Sequence, residues 1–468
     1  MMNTESFQQK LFKELNNKEF FQHAHNHVQT YLDSAKERVV YPLISAIENL
    51  DVFDEHMPID SNDGKDIIEL LSTVGSQGTI NTLNGRYFGF VTGASLPVGM
   101  ATKHLTTYWD QNSALHAMSP IASRLETIVE TWLKDIFHLP KTTVAGFVSG
   151  TSMANFCGLA AARYRLLERQ GWDINKQGLS NAPTIRIVTS KQAHSTVIKT
   201  ISLLGLGINQ IEWVDVDNQG RIRPDLLPSL DNSTIVILQA GNVNSGAFDP
   251  FKLICEKARK VNAWVHIDGA FGLWAAATKK FKYLTDGMNM AHSFAVDAHK
   301  TLNTPYDSGI ILCNDQEALA ASLHMDAGYI IKSSARDGMY FTPEMSRRAR
   351  IFELWATLKY LGKTGINDLI NLFHDRALQF SNAFNEIEGF EVINEVHFNQ
   401  VLVTCNDDDL TSRVLSIIQE ERTCWVGESL WNNKRVIRVS ICAWTTTKKD
   451  VELSILSFKK ALRLSLKE

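Results

Sequence analysis

Lys300 closes the run Phe294-Ala-Val-Asp-Ala-His-Lys300, so a short apolar segment delivers an aspartate, a histidine and a lysine together at its end. A lysine so placed is a candidate Schiff-base nucleophile. A second apolar segment, Ala263-Trp-Val-His-Ile267, ends in Asp268, 32 positions before the lysine. That interval is about one βαβ unit, which allows the two strand ends to be neighbours and sets a carboxylate beside the lysine. In a parallel α/β sheet, ligands collect at the carboxyl ends of strands, where both residues fall. A carboxylate at the end of a buried strand is costly without a cationic partner, so Asp268 needs one.

The run Val144-Ala-Gly-Phe-Val-Ser-Gly-Thr-Ser-Met-Ala-Asn155 passes from an apolar segment through small hydroxylated residues into a helical stretch from Ala154 to Leu167. The free N–H groups and positive dipole end of such a helix favour an anion. Ser149, Gly150, Thr151 and Ser152 form the approach to it, three of them adding hydroxyl donors. An amine for an imine, a carboxylate for a ring nitrogen and an anion cradle are the requirements of pyridoxal 5'-phosphate.

With these motifs in place, the chain resembles the group II pyridoxal-phosphate-dependent amino acid decarboxylases, which include glutamate and aromatic amino acid decarboxylases. The resemblance runs from about Asn84 to Leu361. It is carried by Ser119-Pro120 with Leu125-Glu126, Ser149-Gly150, Ala154-Asn155, Ala193-His-Ser195, Gly246-Ala-Phe-Asp249, Asp268-Gly-Ala270, His299-Lys300 and Arg347-Arg348. It implies an α/β fold of fold type I, aspartate aminotransferase-like, with a large mostly parallel sheet domain and a small C-terminal α+β domain. The implied reaction removes the α-carboxylate of an L-amino acid as carbon dioxide and leaves an amine.

The resemblance also implies roles residue by residue. Lys300 holds the cofactor as an imine, Asp268 faces the pyridinium nitrogen, and His194 stacks on one face of the ring with Ala270 against the other. Asn242 lies near the ring or forms a turn with Asn244, and His299 orients the phosphate or the lysine. Tyr329 lies 29 residues after Lys300 and aligns with the loop tyrosine that protonates Cα after carbon dioxide leaves. Two departures, Thr301 where the family usually has tryptophan and Thr151 in place of a frequent glycine, bear on subfamily and substrate. Aminotransferase or carbon–carbon lyase chemistry on the same cofactor, and a non-catalytic cofactor-binding protein, stand as the rival readings. Selectivity is expected partly in Tyr87-Phe-Gly-Phe90 and Thr92-Gly-Ala-Ser95.

The elements that must hold these residues can be read from pattern. Residues 1–75 read as polar amphipathic helices, an N-terminal arm that in the resembled family packs on a partner subunit and so implies a homodimer. Residues 76–345 alternate apolar strands (184–189, 210–216, 234–239, 264–267, 294–296, 309–312) with helices, the mark of a mostly parallel sheet covered on both faces. Residues 346–468 open with a long helix near Arg350 and continue as an α+β unit with strands at 390–393, 400–404 and 435–441. The 468 residues are 44% hydrophobic, ample for two cores.

A net charge of −4 without a basic stripe excludes a nucleic-acid or anionic-membrane role and favours a small-molecule substrate. Six scattered cysteines without metal-type spacing, the absence of an apolar leader and the absence of a bilayer-length run point to a cytoplasmic protein. His23 and His27 share a helix face, but no cysteine or spaced carboxylate stands near them in sequence, so a solvated face and no metal are expected.

Overall fold

A strand covered on both faces has no solvent side to make polar, and the near-continuous apolar runs accordingly become the strands of one sheet. In the computed structural model, which describes residues 6–323 and 335–467, this sheet has seven strands. They are β1 (Val144–Val148), β2 (Arg186–Ser190), β3 (Ile211–Val214), β4 (Thr234–Gln239), β5 (Trp264–Asp268), β6 (Ser293–Asp297) and β7 (Gly309–Cys313). Their order is β1-β7-β6-β5-β4-β2-β3. β2 to β6 pair in parallel, and β7 runs antiparallel to both β1 and β6. Along β4, Val236 and Leu238 join the core on one face while Ile235 and Ile237 join the core on the other, the period of two that a doubly covered strand requires.

A second sheet of four antiparallel strands, ordered β10-β11-β9-β8, comprises β8 (Glu391–Val392), β9 (Gln400–Thr404), β10 (Gly427–Trp431) and β11 (Lys434–Ser440). The Ile351–Asn385 helix, broken at Gly362 where φ is 56°, and the Asp408–Glu421 helix pack against it, and the Lys448–Ser465 helix packs on these two helices. Its core also takes Phe88, whose ring meets Phe380 edge-on at 5.0 Å. A residue far upstream of this sheet is thereby built into it.

Observed strands follow the expected runs to within a few residues, and β4 and β9 match them end for end. β10 was not expected, because Gly427-Glu-Ser-Leu-Trp431 is an exposed edge strand whose polar residues mask its period. In the N-terminal region the Phe7–Leu15, Lys18–Ser34 and Gly64–Thr73 helices bury no residue of their own.

One buried chain of hydrogen bonds ties β5, β6 and the Thr151–Glu168 helix together. Trp264 Nε1 donates to Ser293 Oγ (3.0 Å), and Ser293 Oγ lies 2.8 Å from His266 Nδ1. His266 Nε2 lies 2.9 Å from Asn155 Oδ1, and Asn155 Nδ2 donates to Asp268 Oδ2 at 3.2 Å. Because Asn155 turns its amide nitrogen to Asp268, its Oδ1 can only accept, which puts the His266 proton on Nε2 and makes Ser293 Oγ the donor to Nδ1. Burial lowers the His266 pKa from 6.5 to about 3, so the ring stays neutral. Gly158 makes room for it, since a Cβ there would stand 2.6 Å from the ring.

Two expectations arise here. The neutral His266 contributes its full stability above pH 6.5 and loses it as the pH falls toward about 3, because the unfolded chain takes up a proton that the folded chain refuses. Urea midpoints measured across that window should fall less steeply for His266→Gln than for the parent. Gly309→Ala would bring a methyl within 2.4 Å of Gly150 Cα, backbone that cannot step aside. It should cost about 1–3 kcal/mol in the same unfolding measurement.

Candidate active site

At the carboxyl ends of β4, β5 and β6 lies a cavity of about 220 Å³. Its lining includes Lys300, His299, Asp297, Asp268, Ala270, His194, Gly150, Thr151, Ser152 and Gln239. Eight of these were singled out from sequence; Asp297 and Gln239 were not assigned a role. Ser149 is half-buried at the end of β1 and stands outside the lining. Tyr329 lies outside the described residues.

Asp268 is held from two sides. Its Oδ2 accepts from Asn155 and its Oδ1 accepts from the Ala270 N–H at 3.2 Å. Lys300 pairs with a different carboxylate: its Nζ stands 2.9 Å from Asp297 Oδ2. The other oxygen of Asp297 accepts from the Thr151 N–H at 2.7 Å, at the first turn of the Thr151–Glu168 helix. Asp297 thus joins the lysine to the helix end that the sequence reading reserved for a phosphate. His299 stands beside the same carboxylate, Nε2 at 3.5 Å, while its Nδ1 accepts from the Ser308 N–H. Burial holds its pKa below the usual imidazole value against the pull of Asp297.

His194 is both an N-cap and a cavity wall. Its Nδ1 accepts from the Thr196 N–H at the start of the Ser195–Leu203 helix, which places the ring proton on Nε2. Burial lowers its pKa in spite of nearby Asp268. A neutral, fixed imidazole is suited to lie against an aromatic ring.

Asn242 takes up the turn-forming one of its two expected roles. Its Oδ1 accepts from the Asn244 and Ser245 N–H groups, closing the turn after β4, and its side chain is absent from the cavity lining. Its Oδ1 is thereby committed to the turn, while its Nδ2 is buried without a partner among the described residues. Tyr87 and Phe88 are buried, Tyr87 stacked on Trp425 at 5.3 Å, so within that stretch Phe90 alone presents an exposed ring.

Two further residues escaped the sequence reading. Gln239, at the end of β4 and in register with Asp268 of β5, is 4% exposed, and its Nε2 has no partner among the described residues. Arg438 of β11 donates to Asn244 Oδ1 at 3.3 Å, and its Nε is buried without a partner. No salt bridge to it is seen among the described residues, and burial lowers its pKa. It is also close enough to His194 to depress that pKa. The signal in sequence was a lone arginine inside the apolar run Val436-Ile-Arg-Val439.

These groups fit pyridoxal phosphate. The cavity offers an amine, a two-point-held carboxylate, a neutral imidazole and a helix end. Among its described lining residues, two buried polar atoms await partners, Gln239 Nε2 and Thr151 Oγ1.

Comparison with known proteins agrees. The pyridoxal-dependent decarboxylase conserved domain matches residues 48–405, most of the chain. The phenylacetaldehyde synthase of a Rosa hybrid cultivar is 23% identical over 94% of this chain and 93% of its own length. The aromatic-L-amino-acid decarboxylase of Bacillus atrophaeus is 24% identical over 85% of this chain and 86% of its own. Among solved structures, Oryza sativa TDC with PLP and tryptamine superimposes with a TM-score of 0.88 at 19% identity, covering 97% of this chain and 98% of that one, a likeness of fold. The chain therefore belongs to the pyridoxal-dependent decarboxylase family and is a pyridoxal-phosphate-dependent carboxy-lyase of fold type I.

Proposed function

We propose that the protein converts an L-amino acid to the corresponding amine and carbon dioxide at the Lys300 cavity. The observation that carries this reading is the convergence of Lys300, Asp268, His194 and the Thr151 helix end on one small cavity in a chain of this family. Pyridoxal phosphate, when bound, supplies an electron-poor ring that accepts the electron pair of the broken bond.

The rest is the work of the chain's own side chains. Lys300 would hold the cofactor through its amine. Asp268 presents a carboxylate to the pyridinium nitrogen, and its two hydrogen bonds fix its direction. The Thr151 and Ser152 hydroxyls and the helix end hold the phosphate, with His299 alongside. His194 and Ala270, both on the cavity wall, would confine the ring. Tyr329 returns a proton to Cα, and the turn that holds Asn242 sets one wall of the cavity.

Arg438 is best suited to a substrate carboxylate. A half-buried guanidinium whose Nε has no partner and which no acid neutralises is costly, and an anionic ligand relieves that cost. A second copy of the chain is supported as partner by the arm, whose Phe7, Leu11, Phe12 and Leu15 are exposed apolar side chains on one short helix. Among the described residues no helix is long and apolar enough to cross a membrane.

The first test is mass spectrometry of products from a pool of L-amino acids without any keto acid. An amine with carbon dioxide is expected; a keto acid or an aldehyde as the sole product would move the reading to other chemistry on the same cofactor. Lys300→Ala should abolish turnover and the visible absorbance of the lysine-bound cofactor together. Tyr329→Phe should keep that absorbance while clean amine formation is lost. Arg438→Met should raise KM for the amino acid by about tenfold or more with cofactor affinity unchanged, and an unchanged KM would remove Arg438 from the substrate site.

A further inference from the structure

The two histidines set aside in sequence for want of a carboxylate acquire one in the fold. The Gly64–Thr73 helix packs beside Lys18–Ser34 and brings Glu69 to His23 and His27. His27 Nε2 stands 3.0 Å from Glu69 Oε2, His23 Nε2 stands 3.3 Å from the same oxygen, and the two Nε2 atoms are 3.3 Å apart.

This triangle is poorly explained by hydrogen bonding. A neutral imidazole has one N–H, so at most two sides of the triangle can be hydrogen bonds, and the two Nε2 atoms still face one another. A metal explains all three sides. Nitrogen and oxygen ligands about 2.0–2.1 Å from a tetrahedral zinc are about 3.3 Å from each other, close to all three distances seen. The His23 and His27 rings meet edge to face, centroids 4.6 Å apart, so their Nε2 atoms approach each other and Glu69 without a ring clash, and the three ligand atoms lie within 4.8 Å of one another. All three side chains are partly open to solvent, which leaves a fourth position for water.

We propose that His23, His27 and Glu69 bind a divalent cation of the zinc class, with water as the fourth ligand, and that this ion clamps the two helices of the N-terminal arm. Nitrogen and carboxylate ligands in this number suit zinc. The ion is remote in sequence from Lys300 and its neighbours and supplies no step of the decarboxylation. Because a site assembled from two helices exists only when they are docked, binding stabilises the docked arm.

The test uses the full chain loaded with cofactor, stripped of metal by chelator dialysis and then given zinc alone. Bound zinc is measured by mass spectrometry after gel filtration, for the parent and for His27→Ala, Glu69→Gln and His25→Ala. One equivalent is expected in the parent and in His25→Ala, with affinity reduced tenfold or more in His27→Ala and Glu69→Gln. Cobalt substituted for zinc should give the visible ligand-field absorption of a tetrahedral site in the parent and lose it in the same two variants. Retention of less than a tenth of an equivalent by the parent at micromolar zinc, or equal retention by all four proteins, would overturn the proposal. Turnover should be the same in Glu69→Gln as in the parent, so a failure of the decarboxylase reading and a failure of the metal site show up in separate measurements.

Discussion

Everything at the catalytic end of the large sheet depends on keeping one buried carboxylate in a fixed direction. Asp268 is 6% exposed at the end of β5, and neither of its oxygens is left to find its own partner. The chain that begins at Trp264 and passes through Ser293, His266 and Asn155 ends on this carboxylate. Each link is a donor facing an acceptor, and each residue sits on an element fixed by sheet pairing or helix packing. A low local dielectric makes such a network strong when complete and costly when any member is missing. The position of Asp268 is therefore a property of β5, β6 and the Thr151–Glu168 helix together.

Asp297 plays the complementary part. It stands at the positive end of the Thr151–Glu168 helix and against the ammonium of Lys300, so one carboxylate answers both a dipole and a charge. Its presence positions the lysine before any cofactor arrives. A phosphate bound at the same helix end would share that field with Asp297, which makes the donors around it, Thr151 Oγ1 and Ser152 Oγ in particular, part of the balance.

How much of this was legible in sequence follows from what each residue's role depends on. The strands of the large sheet could be read because double coverage writes itself as an unbroken apolar run, and Lys300, Asp268, His194 and Thr151 could be read because each follows such a run. Gln239 also ends a strand, but glutamine has no chemistry of its own to attract notice, and its meaning comes from the register that sets it beside Asp268. Arg438 belongs to the other sheet and is linked to the cavity only through His194, whose pKa it depresses, and through Asn244, so tertiary packing alone brings it near. Asn242 was ambiguous for a local reason: a turn-forming asparagine and a ligand-binding one look alike until the acceptor is seen to be occupied. Glu69 illustrates the same limit, since 42 residues separate it from His27.

The six cysteines have a consequence for the protein's chemistry at large. All are buried and unpaired, and burial raises the thiol pKa of Cys255, Cys313, Cys424 and Cys442 to about 12. A thiol that is neither accessible nor ionised does not react with oxidants or disulfides at neutral pH. Cysteine content in this fold therefore carries no information about the redox state of its surroundings. A single cysteine introduced at an exposed position is therefore expected to outreact the six native thiols and to serve as the attachment point for a reporter.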